Sequence, residues 1–420
     1  MTKEATAYLS RGVSPTKDDV HAALRPDPHD VEPGAFCKLI ADFSGDPAYR
    51  VAMHADGAGT KSALAYLYYK ETGDLSVFRG IAQDAIVMNI DDLACIGATD
   101  KFIFSNTIGR NAHRVEGAVI KEIIEGYHEF AELMRPYGIQ IELCGGETAD
   151  VGDLVATLIV DSTVYVRLLR DKIINCRNIK PGDVIIGLAS DGQSAYENAY
   201  NSGMGSNGLT AARHIMLKHE YAQKYPETYS PTIDAAQVYC GPYAVADILP
   251  GTGSIQETGN LTGVPETGVI HGVPEISVGK ALLSPTRTYL PLLKELLSDE
   301  QVFQHVHGII HNTGGGQIKC KKFGSSLHYI KDRLLPTPPL FQAIQAAAKL
   351  PASEMLQIFN VGHRMEFYCD PAVVPAILAA AERFRIGAQI VGSVEANDSA
   401  DSKNGENKVT IQYQGETIPF

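Results

Sequence analysis

The feature that most constrains this chain is a six-residue run, Asp56-Gly57-Ala58-Gly59-Thr60-Lys61. It lies between an apolar stretch, Val51-Ala52-Met53, and a helical-looking segment, Ser62 to Lys70. Two glycines at that junction predict a strand-to-helix turn whose backbone N–H groups can approach a ligand, with the helix N-terminus adding partial positive charge. A carboxylate, a hydroxyl and an ammonium in such a turn suit a metal-bound triphosphate. Lys61 and Thr60 would meet the phosphates and Asp56 the Mg²⁺. The run is not a Walker A loop, because the four residues that part the two glycines of that motif are missing. Taken alone, a glycine-rich turn with a solvated lysine accounts for it equally well.

Further carboxylates strengthen the metal reading. From Gly80 to Ala94, apolar residues recur at helical spacing, and Gly97 stands where a C-cap would. Asp84, Met88, Asp91 and Asp92 fall on one side of that helix. Carboxylates converging on a mostly apolar helix repel one another unless a cation sits among them, so Asp56, Asp84, Asp91 and Asp92 are the candidate Mg²⁺ ligands. The plainer alternative, with Asp84 capping and the other two facing water, sits poorly with such apolar flanks. A third segment, Leu143-Cys144-Gly145-Gly146-Glu147-Thr148-Ala149, follows a strand-like stretch from Gly138 to Glu142. Its glycine pair is expected at a strand end, with Glu147 just beyond as metal ligand, proton acceptor or simple cap.

These segments, in this order, resemble the aminoimidazole ribonucleotide synthetase family, also called phosphoribosylformylglycinamidine cyclo-ligases. The family pattern reads Asp-Gly-Val-Gly-Thr-Lys, then Asp-x-x-x-Met-x-x-Asn-Asp-Leu, then Gly-Gly-Glu-Thr-Ala. The likeness continues through Ser206-Asn207-Gly208, Pro285-Thr286-Arg287-x-Tyr289, Thr313-Gly314-Gly315-Gly316 and Phe359-Asn360-x-Gly362-x-x-Met365, and opens with Tyr8 to Val13. Three positions depart from the pattern. Asp91 stands where the family usually has Asn, Gly205 replaces the usual His before Ser-Asn-Gly, and Gly362-His363-Arg364 replaces Gly-Val-Gly. Gln193 to Gly205 also lie between Gly192 and Ser206, where the family is compact.

The resemblance implies an α+β fold of two domains, each a mixed sheet packed with helices, the first pairing across a homodimer. It implies ATP-dependent ring closure of formylglycinamidine ribonucleotide, with ATP and Mg²⁺ as cofactors. Asp56, Gly57, Gly59, Thr60 and Lys61 would bind ATP, and Lys61, Asp92 and Glu147 would be catalytic. Ser206, Asn207, Gly208, Arg287, Gly314, Gly315 and Gly316 would face the ribonucleotide. On residues alone, Ser206-Asn207 is equally an ordinary N-cap and Arg287 an ordinary surface arginine. Other ATP-using relatives are set aside by particular features. Formylglycinamidine ribonucleotide synthetase is usually longer or joined to a glutaminase; no Cys precedes Cys37, as selenophosphate synthetase would need; and the chain ends Ile418-Pro419-Phe420, without the terminal Cys of the hydrogenase-maturation dehydratase. The alternatives are another ATP-using enzyme of the same superfamily acting on an amide or amidine substrate and, from a different class, a catalytically silent nucleotide-binding homologue.

Composition bears on organisation and setting. A chain of 420 residues exceeds one ordinary core, so two or more domains are expected. Alternating strand-like and helix-like segments run from Tyr49 to about Arg167, and Ile179-Lys180-Pro181-Gly182-Asp183 breaks the alternation. The expected division is an arm over 1–45, an ATP-binding domain over 46–170 and a second domain over 171–420. The second carries an insertion near 216–280, read as a surface excursion from its Gly, Thr and Pro density. The net charge of −13 argues against nucleic acid or an anionic membrane as partner. No apolar run nears ~20 residues, and the start lacks an h-region, so a cytoplasmic protein is expected. Seven scattered cysteines without a CxxC pair read as reduced thiols. His305-x-His307-x-x-x-His311 resembles a zinc cluster, but as a strand it would spread its ligands too far for one ion.

Overall fold

The computed structural model describes residues 6–14, 23, 27–253, 272–397 and 405–420. Two mixed sheets organise them. The first is built from β1 (Ile40–Ala41), β2 (Tyr49–Gly57), β3 (Lys101–Arg110), β4 (Gln140–Asp150) and β5 (Leu158–Leu169), in the order β1-β2-β5-β3-β4. The β3–β4 pair is parallel and the other pairs are antiparallel. Along β5, Val160, Ser162, Val164, Val166 and Leu168 are buried, while the residues between them are exposed or half-buried. This period of two is what a sheet covered on one face requires.

Helices α1 (Lys61–Thr72), α2 (Val77–Ala94) and α3 (Gly117–Met134) belong to this first region. The α3 helix is amphipathic, burying Val119, Ile123, Tyr127, Phe130 and Met134. Its Gly126 lies so close to α2 that an added Cβ would come within 2.8 Å of the Arg79 Cα. The α2 helix is buried on almost every side, as expected of a helix held between a sheet and a second region of the chain.

The second sheet contains β6 (Val184–Ala189), β9 (Val306–His311), β10 (Leu327–Lys331), β11 (His363–Cys369), β12 (Ala388–Ala396), β13 (Lys408–Tyr413) and β14 (Glu416–Pro419). Its order is β14-β13-β10-β12-β6-β11-β9; the short pair β7 (Asp191–Gly192) and β8 (Asn201–Ser202) stands apart. The two-region α+β architecture is thus as the resemblance implied. Helices used below are α4 (Leu209–Met216), α5 (Val278–Leu282) and α6 (Leu290–Ser298).

Four local expectations need correction. Gly145 and Gly146 are not at a strand end but inside β4, where the β3–β4 register shifts between Phe104 and Asn106. A Cβ on Gly146 would fall 2.2 Å from the Asn106 carbonyl oxygen, so the glycine is required by close strand approach. The arm over 1–45, which its polar, Pro and Gly content reads as irregular, is not so throughout, since β1 pairs with β2 and Leu39 is fully buried. The insertion is not simply a surface excursion, because Tyr221, Val238, Tyr239, Val245 and Leu249 are buried and Arg213 donates to the Thr228 carbonyl. Its Leu261 to Gly268 stretch lies outside the described residues. Finally, His305 ends a helix and only His307 and His311 lie in β9. His307 pairs with Asp183 and His311 with Asp92, so they serve separate carboxylates.

Candidate active site

The seam between the two regions gathers most of the predicted residues. Lys61 begins α1 and is fully buried. Its Nζ donates to Asp84 Oδ1 at 2.8 Å, the Ser284 carbonyl at 2.6 Å and the Gly205 carbonyl at 3.3 Å. An ammonium has three donors, and all three are engaged. Burial pulls its pKa down, while the Asp84 charge opposes that shift. Lys61 is therefore a buried cross-link between the regions rather than an arm extended toward phosphate, and that expectation is corrected.

The α2 carboxylates are likewise engaged by protein. Asp84 Oδ1 also accepts from the Thr286 N–H at 2.7 Å and the Thr286 hydroxyl at 2.5 Å. One turn or two further on, Asp91 accepts from the Thr288 hydroxyl at 2.6 Å and the Tyr289 N–H at 3.1 Å. The Pro285-Thr286-Arg287-Thr288-Tyr289 segment thus lies along α2 with its donors aimed at successive carboxylates. Burial pushes the Asp91 carboxyl up to about 7, against the pull of the Thr288 hydroxyl and the Arg364 charge.

Asp92 faces elsewhere. Its Oδ1 is 2.7 Å from His311 Nδ1, and its Oδ2 is 3.4 Å from His54 Nε2. Burial opposes ionisation of Asp92, yet the hydrogen bonds from His311 and His54 outweigh it and hold the carboxyl well below its usual range. Burial takes His311 down to about 4 despite Asp92, so the pair is a carboxylate beside a neutral imidazole. The Arg364 Nε donates to His311 Nε2 at 3.2 Å, which leaves the His311 proton on Nδ1.

His54, two residues before Asp56 on β2, has Nδ1 at 2.9 Å from Asn89 Oδ1. The Asn89 amide nitrogen donates to the carbonyls of Asp56, Ala85 and Ser162, so its oxygen must be the acceptor and His54 Nδ1 the donor. Burial disfavours a charged ring there, but the hydrogen bond and charge of Asp92 prevail and raise the His54 pKa.

The four carboxylates do not form one donor set for Mg²⁺. Asp56 is exposed, with Oδ1 on its own Gly57 N–H at 2.7 Å. The other three are turned to Lys61 and Thr286, to Thr288 and Tyr289, and to two histidines. Among the described residues, no group of three or more His, Cys, Asp or Glu side chains is placed to hold a metal ion. Glu147 is also apart: it is exposed on edge strand β4, opposite Thr107, which pairs with Asp161, which pairs with Gly57. Three strand spacings put it roughly 14 Å from the Asp56-Gly57 turn, so it does not join the cluster.

Arg287 is a further correction. It is fully buried, with Nε and Nη2 forked on the Glu197 carboxylate and Nη1 on the carbonyls of Ala189 and Asp191. Every nitrogen has a partner, so its fork holds the 189–197 segment against the 285–289 segment instead of facing a ligand.

Other predicted residues do come together at an accessible edge. Gly59 and Thr60 are exposed, and Gly59 adopts φ +57°, which permits the turn into α1. Thr60 Oγ1 lies 2.8 Å from Thr210 Oγ1 in α4, joining the first region's turn to the second region's Ser206-Asn207-Gly208 loop. Gly208, at φ +84°, precedes α4 and abuts the Phe359 ring. Asn207 in turn neighbours Gly314, whose added Cβ would sit 3.9 Å from the Asn207 amide nitrogen. The Lys319 ammonium donates to Thr313 Oγ1 at 2.6 Å, adding a cation to the Thr313–Gly316 loop. The turn at 56–60 and the loops at 206–208 and 313–316 thus line one seam of backbone N–H groups and small polar side chains, an arrangement suited to phosphorylated ligands. Sequence reasoning missed His54, weighed His311 only as a zinc ligand and met Arg364 only as a departure from the family pattern. The signals present were strand alternation, which places His54 on the Asp56 face, and the direct adjacency of His311 to the Thr313–Gly316 loop.

The comparisons agree with this architecture. Residues 37–165 match the family described as AIR synthase related protein, N-terminal domain. Curated relatives named phosphoribosylformylglycinamidine cyclo-ligase are similar over most of the chain. The Methanocaldococcus jannaschii protein is 26% identical over 371 residues, covering 88% of this chain and 85% of the relative. The Pyrococcus furiosus protein is 28% identical over 338 residues, covering 79% and 75% respectively. Among solved structures, T. maritima PurL complexed with FGAR superposes with a TM-score of 0.52 at 15% identity, over 99% of this chain and 51% of that one. This chain therefore spans about half of that protein, and the likeness is one of fold. The chain is related to the cyclo-ligases along nearly its whole length, as its ordered motifs implied.

Proposed function

We propose that the protein is an ATP-dependent cyclo-ligase that closes formylglycinamidine ribonucleotide to aminoimidazole ribonucleotide in purine biosynthesis. The observation that carries this reading is the single seam in which the Thr60–Thr210 contact joins the Asp56–Thr60 turn to the Ser206–Gly208 loop and Asn207 in turn neighbours the Thr313–Gly316 loop. The extensive similarity to proteins named for that reaction supports it.

An amide oxygen is a poor leaving group, so the formyl-amide oxygen takes the γ-phosphoryl group of ATP, and ADP departs. The amidine nitrogen then attacks the activated carbon, the C–O bond breaks and phosphate leaves with the oxygen. Positioning and electrostatics carry most of such a transfer. The Gly57 and Ala58 N–H groups donate to Asp56 and to the Val160 carbonyl, so the Gly59 and Thr60 N–H groups are the ones that hold nucleotide phosphate, and the second region's loops hold the ribonucleotide. Asp56, the exposed one of the four carboxylates, is the one that would meet a nucleotide-bound Mg²⁺, which would offset phosphate charge there. Buried Lys61, Asp84 and Asp91 keep the two regions in register and do not touch substrate.

The same reading takes the active form as a homodimer through the open face of the first sheet. Met53 on β2 is 74% exposed and pairs with Tyr165, which pairs with Ile103 at 43% exposed. Such an exposed apolar row across three strands favours a partner sheet. Among the described residues no helix is long and apolar enough to cross a membrane, and the cytoplasm is the compartment proposed.

The test is turnover by the full chain with ATP, Mg²⁺ and formylglycinamidine ribonucleotide, following ADP and the aminoimidazole product together. Equal amounts of both, each requiring the ribonucleotide, are expected. ADP release that does not depend on the ribonucleotide, or binding of ATP with no turnover, would assign the chain to another reaction or to a silent homologue.

A further inference from the structure

We infer that Arg364 recognises a phosphoryl oxygen at the seam, through the one nitrogen of its own guanidinium that the described residues leave without a partner. The inference rests on the reading of that seam as a site for phosphorylated ligands.

Arg364 lies on β11 and is 2% exposed. Its Nε donates to His311, and its Nη2 donates to the Arg287 carbonyl. Its Nη1 is buried and has no hydrogen-bond acceptor among the described residues. Arg287 provides the contrast, since all of its nitrogens are engaged. A buried donor left open is costly, and a charged one more so, unless something accepts from it. Next to Arg364, Asn312 donates its backbone N–H to the Arg364 carbonyl at 2.6 Å, yet both polar atoms of its buried amide are likewise unpartnered. The open donors, one cationic and one neutral, call for an acceptor-rich group, and a phosphoryl group has the oxygens and charge that suit a guanidinium.

The direction of Nη1 locates the ligand. A Cβ built on Gly205 would lie 3.0 Å from Arg364 Nη1, so the guanidinium fills the place that a side chain at 205 would take. Gly205 immediately precedes the Ser206-Asn207-Gly208 loop. Two of the departures from the family pattern, Gly for His at 205 and Arg for Gly at 364, therefore meet in space. The third, Asp91 for Asn, feels the Arg364 charge. The three substitutions form one local exchange, in which β11 provides a cation beside a loop that has lost its own side chain. Either the terminal phosphoryl of ATP or the phosphate ester of the ribonucleotide presents the required chemistry.

The experiment uses inorganic phosphate as probe on the full chain, with binding read by calorimetry and by the phosphate-dependent rise in unfolding midpoint. Saturable binding by the wild type is expected. Arg364→Lys keeps the charge but lacks the fork, and should lose about tenfold in phosphate affinity. Gly205→Ala keeps the guanidinium but sets a methyl group 3.0 Å from Nη1, displacing it; because φ at 205 is +67° its phosphate-free midpoint is measured alongside, and it should show the same loss of phosphate affinity even if the lysine variant does not fold. A purely structural Arg364 would lower the phosphate-free midpoint and leave phosphate affinity intact. That pattern, wild-type affinity in Gly205→Ala, or no phosphate binding by the wild type would each overturn the inference. Displacement of phosphate by ATP or by ribose 5-phosphate identifies the source of the bound group, and displacement by neither also overturns it. Loss of phosphate affinity in these variants, in a protein that closes no ring, would remove the proposed reaction and leave the Arg364 assignment standing.

Discussion

The two ends of the first region's ligand-like sequence behave in opposite ways. At the β2–α1 turn, Asp56, Gly59 and Thr60 are exposed, and the local chemistry faces outward. A few residues away, Lys61 and the α2 carboxylates Asp84 and Asp91 are buried and bound to the 284–289 segment. Both ends carry residue types that bind metal–nucleotide complexes. What separates them is burial: Lys61, Asp84 and Asp91 meet their partners inside the protein, whereas Asp56 and Thr60, each hydrogen-bonded as well, lie at the surface. A carboxylate on an apolar helix demands a counter-partner, but the demand does not say whether that partner is a metal ion, an ammonium or a pair of threonines. In this molecule the buried end fastens two regions together and the exposed end stays accessible.

Removing the buried cation tests the contrast most severely. Lys61→Met leaves Asp84 charged and buried, with only the Thr286 donors, and should cost about 3–5 kcal/mol of stability. The measurement is the denaturant midpoint of the full chain. An unchanged midpoint with a raised KM for ATP would return Lys61 to the phosphate site and erase the difference between the two ends.

Much of the fold was legible because its signals are local. The period-two pattern of β5, the amphipathic stripe of α3 and the glycine turn at 57–59 each follow from a few neighbouring residues. The order of the motifs also announced a family architecture. What could not be read was partnership across the seam. Nothing near Asp84 in sequence names Thr286, and nothing near Arg287 names Glu197, because these contacts span 202 and 90 residues. Arg287 and Arg364 illustrate the limit: both are buried arginines, and only the completed hydrogen-bond inventory distinguishes the saturated one from the open one. The Gly145-Gly146 pair was misplaced for a related reason. Two glycines signal a turn unless a neighbouring strand, here at Asn106, presses so close that only glycine fits within the ladder.

Asp91 sharpens the comparison through pH. Its carboxyl is raised to about 7, so between about pH 4 and 7 the native chain keeps a proton that the unfolded chain releases. Stability therefore falls with rising pH over that window, by up to about 1.4 kcal/mol per pH unit. His311 acts in the opposite sense. With its pKa lowered to about 4, the native ring refuses a proton that the unfolded chain binds, and stability rises between about pH 4 and 6.5. In the wild type the two slopes largely cancel. Asp91→Asn, the residue usual in the family pattern, removes the first, so the variant's stability relative to the wild type should climb steadily from about pH 4 to 6.5. Unfolding curves across that range provide the check, and a pH profile parallel to the wild type would mean that Asp91 does not hold its proton in the folded chain.

The smallest effect on stability belongs to the exposed end. Asp56→Asn keeps an oxygen able to accept the Gly57 N–H that Asp56 Oδ1 now accepts at 2.7 Å, so the turn conformation should survive. The site is exposed, and substitutions at such positions usually shift stability by no more than about 0.5 kcal/mol. The loss of charge should instead appear in function, as a several-fold higher KM for ATP that is most evident at limiting Mg²⁺, with little change in the KM for the ribonucleotide. That split is what a nucleotide-facing turn predicts, because the second substrate is assigned to the loops at 206–208 and 313–316. A midpoint that falls as far as that of Lys61→Met would show the turn to be as much a structural fastening as the buried end. A rise confined to the ribonucleotide KM would exchange the two substrates across the seam.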